Sequence, residues 1–272
     1  MTDPDAVELE IQCAQRGALL RELDAAALRV TGSDRVSWLG GLVTQEIQKR
    51  TAPAAVYGLL VQKNGKLASE TFILLERDAV WLSLRGGAQE ALLENLDRHL
   101  VMEDCELTLE TDARFVLAFG PSAADLAERA LGAGAKAGVA SRGGVPAAVI
   151  LVDQTRLAAL RDDLLRVERV AAASEAGWRR FRVEHGIGEW GVDFGEENYP
   201  QEGALERDGV SFEKGCYLGQ EAVFMLEKRG HVKKRLVPPR IDAPEGAAVA
   251  AAIVDADGQD TGARATVAGR GR

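Results

Sequence analysis

The sequence predicts an α+β fold assembled from small two-layer modules, and three observations point that way. Strand-like stretches are followed by helix-like ones in units of roughly 60 residues, which favours two-layer modules over a doubly wound sheet. An Asn64-Gly65 pair lies between two apolar strand-like runs, the strongest short-range hairpin signal a sequence offers. The chain has 272 residues, 46% hydrophobic and 28% charged, enough to bury a real core in two or three small domains.

Taken in order, residues 6–14 read as a short amphipathic start, and GALLREL (17–23) and AALRV (26–30) as two strands. Gly32-Ser33 punctuates them, with Ser33 placed to cap a short helix carrying Val36, Trp38 and Leu39 that Gly40-Gly41 ends. VYGLLVQ (56–62), a turn at residues 63–66, LASETFILL (67–75) and AVWLSL (79–84) form a run of strands. A helix over 88–100 and the strand CELTLE (105–110) follow. RFVLAFG (114–120) opens a new unit, with Gly120-Pro121-Ser122 as turn and cap of an Ala-rich helix reaching Leu131. The Gly/Ala-rich run 132–144 is expected to be a loose loop. VPAAVILV (145–152) is a strand and 155–165 a helix, and Ser174 opens another helix to about Val183. Residues 185–211 form a long irregular stretch, the usual mark of a functional loop. From Val237 the chain is Ala/Gly/Pro-rich, with strand-like runs at 247–254 and 262–269 but little material for a core.

The net charge of −9 argues against wholesale binding to nucleic acid or to an anionic membrane. Residues 212–240 nevertheless carry seven Lys or Arg against three acids, a +4 island in a chain that is otherwise −13. That island is either a receiver for an anionic ligand or a solvated basic face. Cys13, Cys105 and Cys216 are far apart and odd in number, so neither a disulfide framework nor a zinc site is suggested. The acidic N-terminus has no basic, apolar leader pattern, and no apolar run is long enough to span a bilayer. A cytoplasmic location, with no membrane partner and no direct nucleic-acid contact, is expected.

The chemistry-bearing residues cluster between Arg182 and Arg235. Glu184 follows an apolar helix face, where a carboxylate can accept two parallel hydrogen bonds from an amidine-like edge. The bland alternative is a helix-end acid paired with Arg182 or Arg180. Cys216 sits between Gly215 and Leu218-Gly219, close to Lys214, and is either a thiolate of lowered pKa or a small packing residue. A Cys216/His231 nucleophile pair finds no support, because His99, His185 and His231 show no orienting acid at a recognisable spacing.

The run Lys214-Gly215-Cys216-Tyr217-Leu218-Gly219-Gln220-Glu221 resembles the signature of the YgfZ-type folate-binding proteins, a branch of the glycine-cleavage T-protein superfamily. Supporting motifs follow in the expected order: LRVTGSDRVSWLGGLVTQEI (28–47), LLVQKNGKLASETFIL (59–74), VLAFGPSAADL (116–126) and RVEHGIGEWGVDF (182–194) ahead of YPQE. The similarity runs from about Leu19 to Leu236. It implies a T-protein-like ring of small modules around a central channel for tetrahydrofolate, closed by a short β-rich C-terminal segment. It divides the chain into 1–50 plus 112–232, an inserted β-rich module over 51–111, and a truncated barrel-like segment over 233–272. It also implies that Glu184 holds the pterin with Arg182, Lys214, Tyr217 and Gln220 nearby, and that Cys216 is the reactive residue.

The function implied is support of iron–sulfur cluster assembly or repair, with an indirect effect on tRNA modification. The expected partners are reduced folate and iron–sulfur proteins or their assembly factors, around a monomer. The alternative is a folate-dependent aminomethyl- or methyltransferase. Aminomethyltransferases carry paired aspartates where this hairpin has Ser69-Glu70, which favours the first reading. Met225 stands where the family usually has an arginine, with Lys228 or Arg229 as candidate replacements. An RNA-binding adaptor using residues 228–235 ranks last, since no aromatics interleave its basic residues.

Overall fold

A computed structural model describes residues 4–85, 89–228, 230, 232 and 234–237, together with the backbone of 253–254 and 260–262. Helix α1 (Pro4–Arg16) leads into strand β1 (Ala18–Leu23). Strand β2 (Ala26–Thr31), helix α2 (Arg35–Gly40), strands β3 (Ala54–Val61), β4 (Leu67–Leu75) and β5 (Val80–Leu84), helix α3 (Gln89–Asp97) and strand β6 (Glu106–Glu110) follow. The next group is β7 (Ala113–Phe119), α4 (Ala123–Gly132), β8 (Lys136–Arg142), β9 (Val145–Asp153), α5 (Gln154–Leu164), β10 (Val170–Ala172) and α6 (Glu175–Glu184). After a long loop come the single turn α7 (Glu206–Gly209) and helix α8 (Gln220–Lys228).

These strands form two five-stranded sheets, β10-β1-β7-β9-β8 and β3-β4-β5-β2-β6, so the chain is α+β as its pattern predicts. Each sheet has an apolar outer face covered by its own helices. Leu126, Ala130 and Leu160 of α4 and α5 pack on Val116, Ile150 and Val152. Trp38, Leu39 and Leu96 of α2 and α3 pack on Leu28, Val80 and Leu82. The inner faces meet each other: Tyr57, Leu59, Phe72 and Trp81 of one sheet share a core with Leu19, Phe115, Leu117 and Phe119 of the other. Trp178 and Phe181 of α6 join that shared core, with Phe119 5.5 Å from both rings. A fully buried side chain of this size contributes about 1.5–3 kcal/mol.

Several expectations change. The run 132–144 is not a loop. Residues 136–142 form the edge strand β8, with Ala137 buried on the helix-covered face and Ala140 and Arg142 buried on the inner one. Gly138 allows it to pass β3, because a Cβ there would lie 2.8 Å from the Ala55 nitrogen. Ser33 does not cap α2; Asp34 occupies that position, and the Ser33 hydroxyl instead donates to Asp104 at 2.9 Å. Strand β2 pairs with β5 and β6, so the second sheet starts at Ala26 rather than in the fifties, where the inserted module was expected to begin. The strand-like runs expected in the C-terminal segment lie almost entirely outside the described residues. What is described there is a small antiparallel pair, β11 (Ile253–Val254) and β12 (Asp260–Gly262). Among the described residues no helix is long and apolar enough to cross a membrane.

Candidate functional site

A cavity of about 150 Å³ opens between the inner faces of the two sheets. Its walls carry Glu70 and Phe72 from β4, Leu117 and Phe119 from β7, Arg142 from the end of β8, and Trp178 from α6. Strand alternation dictates which side chains enter, since every second residue of β4 and β7 faces this side.

Glu70 is buried, and one carboxylate oxygen accepts the Tyr57 hydroxyl at 2.8 Å. The Arg85 guanidinium lies 3.8 Å from the other oxygen. Burial pushes the Tyr57 phenol well above its ordinary range, with Arg142 opposing and Glu70 reinforcing that shift. Arg142 is buried too, with its guanidinium 4.4 Å from the centre of the Tyr57 ring. It pairs with Asp208 at 3.2 Å, and Asp208 also accepts the Gly143 N–H at 2.6 Å. A buried cation beside a ring face and a carboxylate is fully compensated, the condition under which burying a charge is tolerated.

The far wall is the loop after α6. Glu189 reaches the cavity and accepts the Trp178 indole N–H at 3.3 Å. Arg182 lies behind it, buried, with Nε 3.0 Å from Glu189 and Nη1 2.5 Å from Asp193. The Asp193 carboxylate also accepts the Glu189 N–H at 2.9 Å, which closes the loop on itself. Arg182 therefore shapes the loop that presents Glu189. Glu184 is not among the residues lining the cavity; its carboxylate takes the Arg180 guanidinium at 3.0 Å, and Arg180 also holds Glu8 of α1.

The signature run forms a turn ahead of α8. Cys216 is exposed at its apex, and Tyr217 is buried, its hydroxyl without a hydrogen-bond partner among the described residues. Burial pushes the Tyr217 phenol up. The Lys214 ammonium donates to the carbonyls of Gly40 and Val43, both at 2.6 Å. Gln220 opens α8, which docks on the tip of the β3–β4 hairpin where Gly65 leaves no room for a side chain beside Ala222. Among the described residues no group of three His, Cys, Asp or Glu side chains is placed to hold a metal ion.

No protein-family model matches the chain. It is 27% identical over 221 residues to the tRNA-modifying protein YgfZ of Aliivibrio fischeri, covering 78% of this chain and 68% of that one. It is 28% identical over 251 residues to the iron–sulfur cluster assembly factor IBA57 homolog, mitochondrial, of Coccidioides immitis, covering 82% and 56%. The chain thus spans little more than half the length of that fungal relative. In fold it is similar to the glycine cleavage system aminomethyltransferase T of Bartonella henselae, with a TM-score of 0.66 at 17% identity over 82% of this chain and 66% of that one.

In sequence the chain is thus similar to YgfZ and IBA57 proteins, and in fold to an aminomethyltransferase T-protein.

The residues singled out by sequence fall into two groups. Arg182 and Glu184 end α6 beside the cavity loop, while Lys214, Cys216 and Tyr217 belong to the turn before α8 and Gln220 is its first residue. Sequence reasoning missed Tyr57, Arg142, Glu189 and Asp208. Arg142 carried no signal because its strand read as a loop, and Tyr57 looked like one more apolar strand residue. A larger groove of about 690 Å³, lined by Arg21, Glu90, Arg114 and Glu175 among others, lies by the β1–β2 link and contains none of the predicted site residues.

Proposed function

We propose that this YgfZ-type chain binds reduced folate in the inter-sheet cavity and thereby supports the assembly or repair of iron–sulfur clusters, with an indirect effect on tRNA modification. The observation that carries the reading is the wall composition. A flat, partly polar ring is met by Trp178 and Phe119, while the carboxylates of Glu70 and Glu189 accept its N–H donors. These residues fit a reduced pterin. At about 150 Å³ the cavity is smaller than the ~300–1,000 Å³ usual for ligand pockets, so it receives the ring head while the remainder of the folate extends outside.

Bound folate would supply a carrier for one-carbon units. The chain's own contribution is to orient the pterin between Trp178 and the β4 wall and to keep water from it. Glu184, at the end of α6, is the residue the family resemblance assigns to the pterin, and Cys216 the one it assigns to the redox or cluster-linked step. The exposure of Cys216 supports the second assignment, because a thiol that serves a client protein must be reachable. The names of the YgfZ and IBA57 relatives support the link to tRNA modification and to iron–sulfur assembly. A cytoplasmic monomer remains part of this reading.

Calorimetric titration with tetrahydrofolate tests the proposal, with an expected Kd near ~1 μM, about 8 kcal/mol. Neither heat nor thermal shift at millimolar ligand would remove the central claim.

A second reading, a folate-dependent aminomethyltransferase, is favoured by Glu70, a buried carboxylate in the cavity wall near the position of the catalytic aspartates. Against it, Ser69 is not a second acid; its hydroxyl is committed to the Glu70 and Arg85 carbonyls and accepts the Arg85 N–H. With tetrahydrofolate and an aminomethyl-loaded lipoyl carrier, no methylene-tetrahydrofolate above background is expected. Robust turnover abolished by Glu70→Gln would put the transferase first.

A further inference from the structure

The turn that carries the exposed thiol is held against a distant part of the chain around one half-buried cation. Residues 211–218 run beside 40–44. The Ser211 N–H donates to the Thr44 carbonyl at 3.0 Å, and the Leu218 N–H to the Gly41 carbonyl at 2.9 Å. Between these two contacts the Lys214 ammonium reaches the carbonyls of Gly40 and Val43. Helix α2 ends at Gly40, and carbonyls at a helix C-terminus have no partner within the helix, so a cation there satisfies them.

An ammonium has three donors. Two go to the carbonyls, and the Tyr217 ring stands 5.2 Å from the nitrogen to receive the third. The residues on either side of Cys216 are thus anchored: Lys214 on the α2 corner, and Tyr217 in the core next to Val223. The chain leaves the turn at Gly219, whose positive φ of 77° and close approach to the Gln62 carbonyl exclude any side chain. Only Gly215 and Cys216 project. A Cβ at Gly215 would meet nothing within 4 Å.

We infer that Lys214 is a positioning residue whose ammonium staples the 214–218 turn to the Gly40–Val43 corner, fixing where the Cys216 thiol stands. This rests on the proposed function only in taking Cys216 as the group that needs to be placed. The staple is intramolecular, so it holds with or without ligand.

The test uses the full chain with Cys13→Ser and Cys105→Ser, carrying a nitroxide spin label on Cys216. A partly ordered line shape is expected for this parent. Lys214→Met should convert it to a fast, narrow one with the far-ultraviolet circular dichroism unchanged. Lys214→Arg, whose planar fork can still reach two carbonyls, should restore most of the order. A folded Lys214→Met protein with the parent's line shape overturns the inference. Should Lys214→Met fail to fold, Lys214→Gln, which keeps one donor group, must give intermediate mobility, and parental mobility there overturns it equally. The functional reading is separated by Cys216→Ser in cells. Full iron–sulfur enzyme activity with that variant, alongside a mobile label in Lys214→Met, would sink the role given to Cys216 and leave the staple standing.

Discussion

Tyr57 and Glu70 meet diagonally across the β3–β4 ladder, the phenol donating to the carboxylate at 2.8 Å behind the cavity wall. The register opposes Tyr57 to Phe72 and Leu59 to Glu70, so the pair spans one step of the same sheet face. The consequence is a carboxylate whose orientation is fixed before any ligand arrives. Tyr57→Phe keeps the ring and its contact with Arg142 but removes the donor. A stability loss of about 1–2 kcal/mol is expected, since a buried charged acceptor loses its partner, and urea unfolding of the variant measures it.

Ligand recognition is tested by comparing two carboxylates of the α6 region. Glu184→Ala tests the residue that the family resemblance assigns to the pterin: a loss of about 2 kcal/mol in tetrahydrofolate binding is the outcome if Glu184, and not the cavity wall, accepts the paired N–H donors. Glu189→Ala should weaken that binding, since Glu189 stands in the cavity wall. Calorimetry on both decides between them. An effect confined to Glu189 would move pterin recognition from the helix end to the loop.

Alkylation should rank the three thiols. Cys216 is exposed, whereas burial pushes the thiols of Cys13 and Cys105 up, helped by Glu10 at the first and by Asp34, Asp104 and Glu103 at the second. A neutral alkylating agent should therefore label Cys216 first. Mass spectrometry of labelled sites over time checks the order, and equal labelling of all three would return Cys216 to a packing role. Slower labelling with folate present would place the thiol by the ligand channel.

Lys214 gives a pH dependence with a defined sign. Burial lowers its ammonium from 10.5 to about 8, with the Glu46 carboxylate opposing. Between those values the unfolded chain holds a proton that the native state has released, so this group adds stability as pH rises from about 8 towards 10.5 and adds no slope below 8. Tyr217, the other titratable group against it, keeps its proton through this window because burial raises its phenol. Urea midpoints of Lys214→Met between pH 7 and 9.5 should lack the upward component present in the parent.

How much of this was legible in the sequence depends on whether the determinant was local. The β3–β4 hairpin was readable because Asn64-Gly65 and the flanking apolar strands state it within residues 54–75. The cap at Ser174 was equally plain, and its side chain accepts the Gly177 N–H at 3.0 Å as expected. Strand β8 was not legible, because Ala137, Gly138 and Ala140 give no apolar strand pattern and its place is set by Ala54 and Ala55 far away in the chain. Arg142 was hidden with it, since only the fold brings Asp208 to its guanidinium. The signature turn was found by resemblance, but the direction of Lys214 could not be read, because its acceptors are backbone carbonyls that no residue type announces.

The order in which the sheets close has a consequence during synthesis. All five strands of the second sheet lie between Ala26 and Glu110, whereas β1 at Ala18–Leu23 pairs with β7 and with β10 at Val170–Ala172. A ribosome therefore releases one finished sheet while β1, of the other sheet, still waits for β7 and, much further downstream, for β10. Until they emerge, the face bearing Tyr57, Phe72 and Trp81 stays bare, so a nascent chain stalled near residue 111 is the form of this protein most in need of a chaperone.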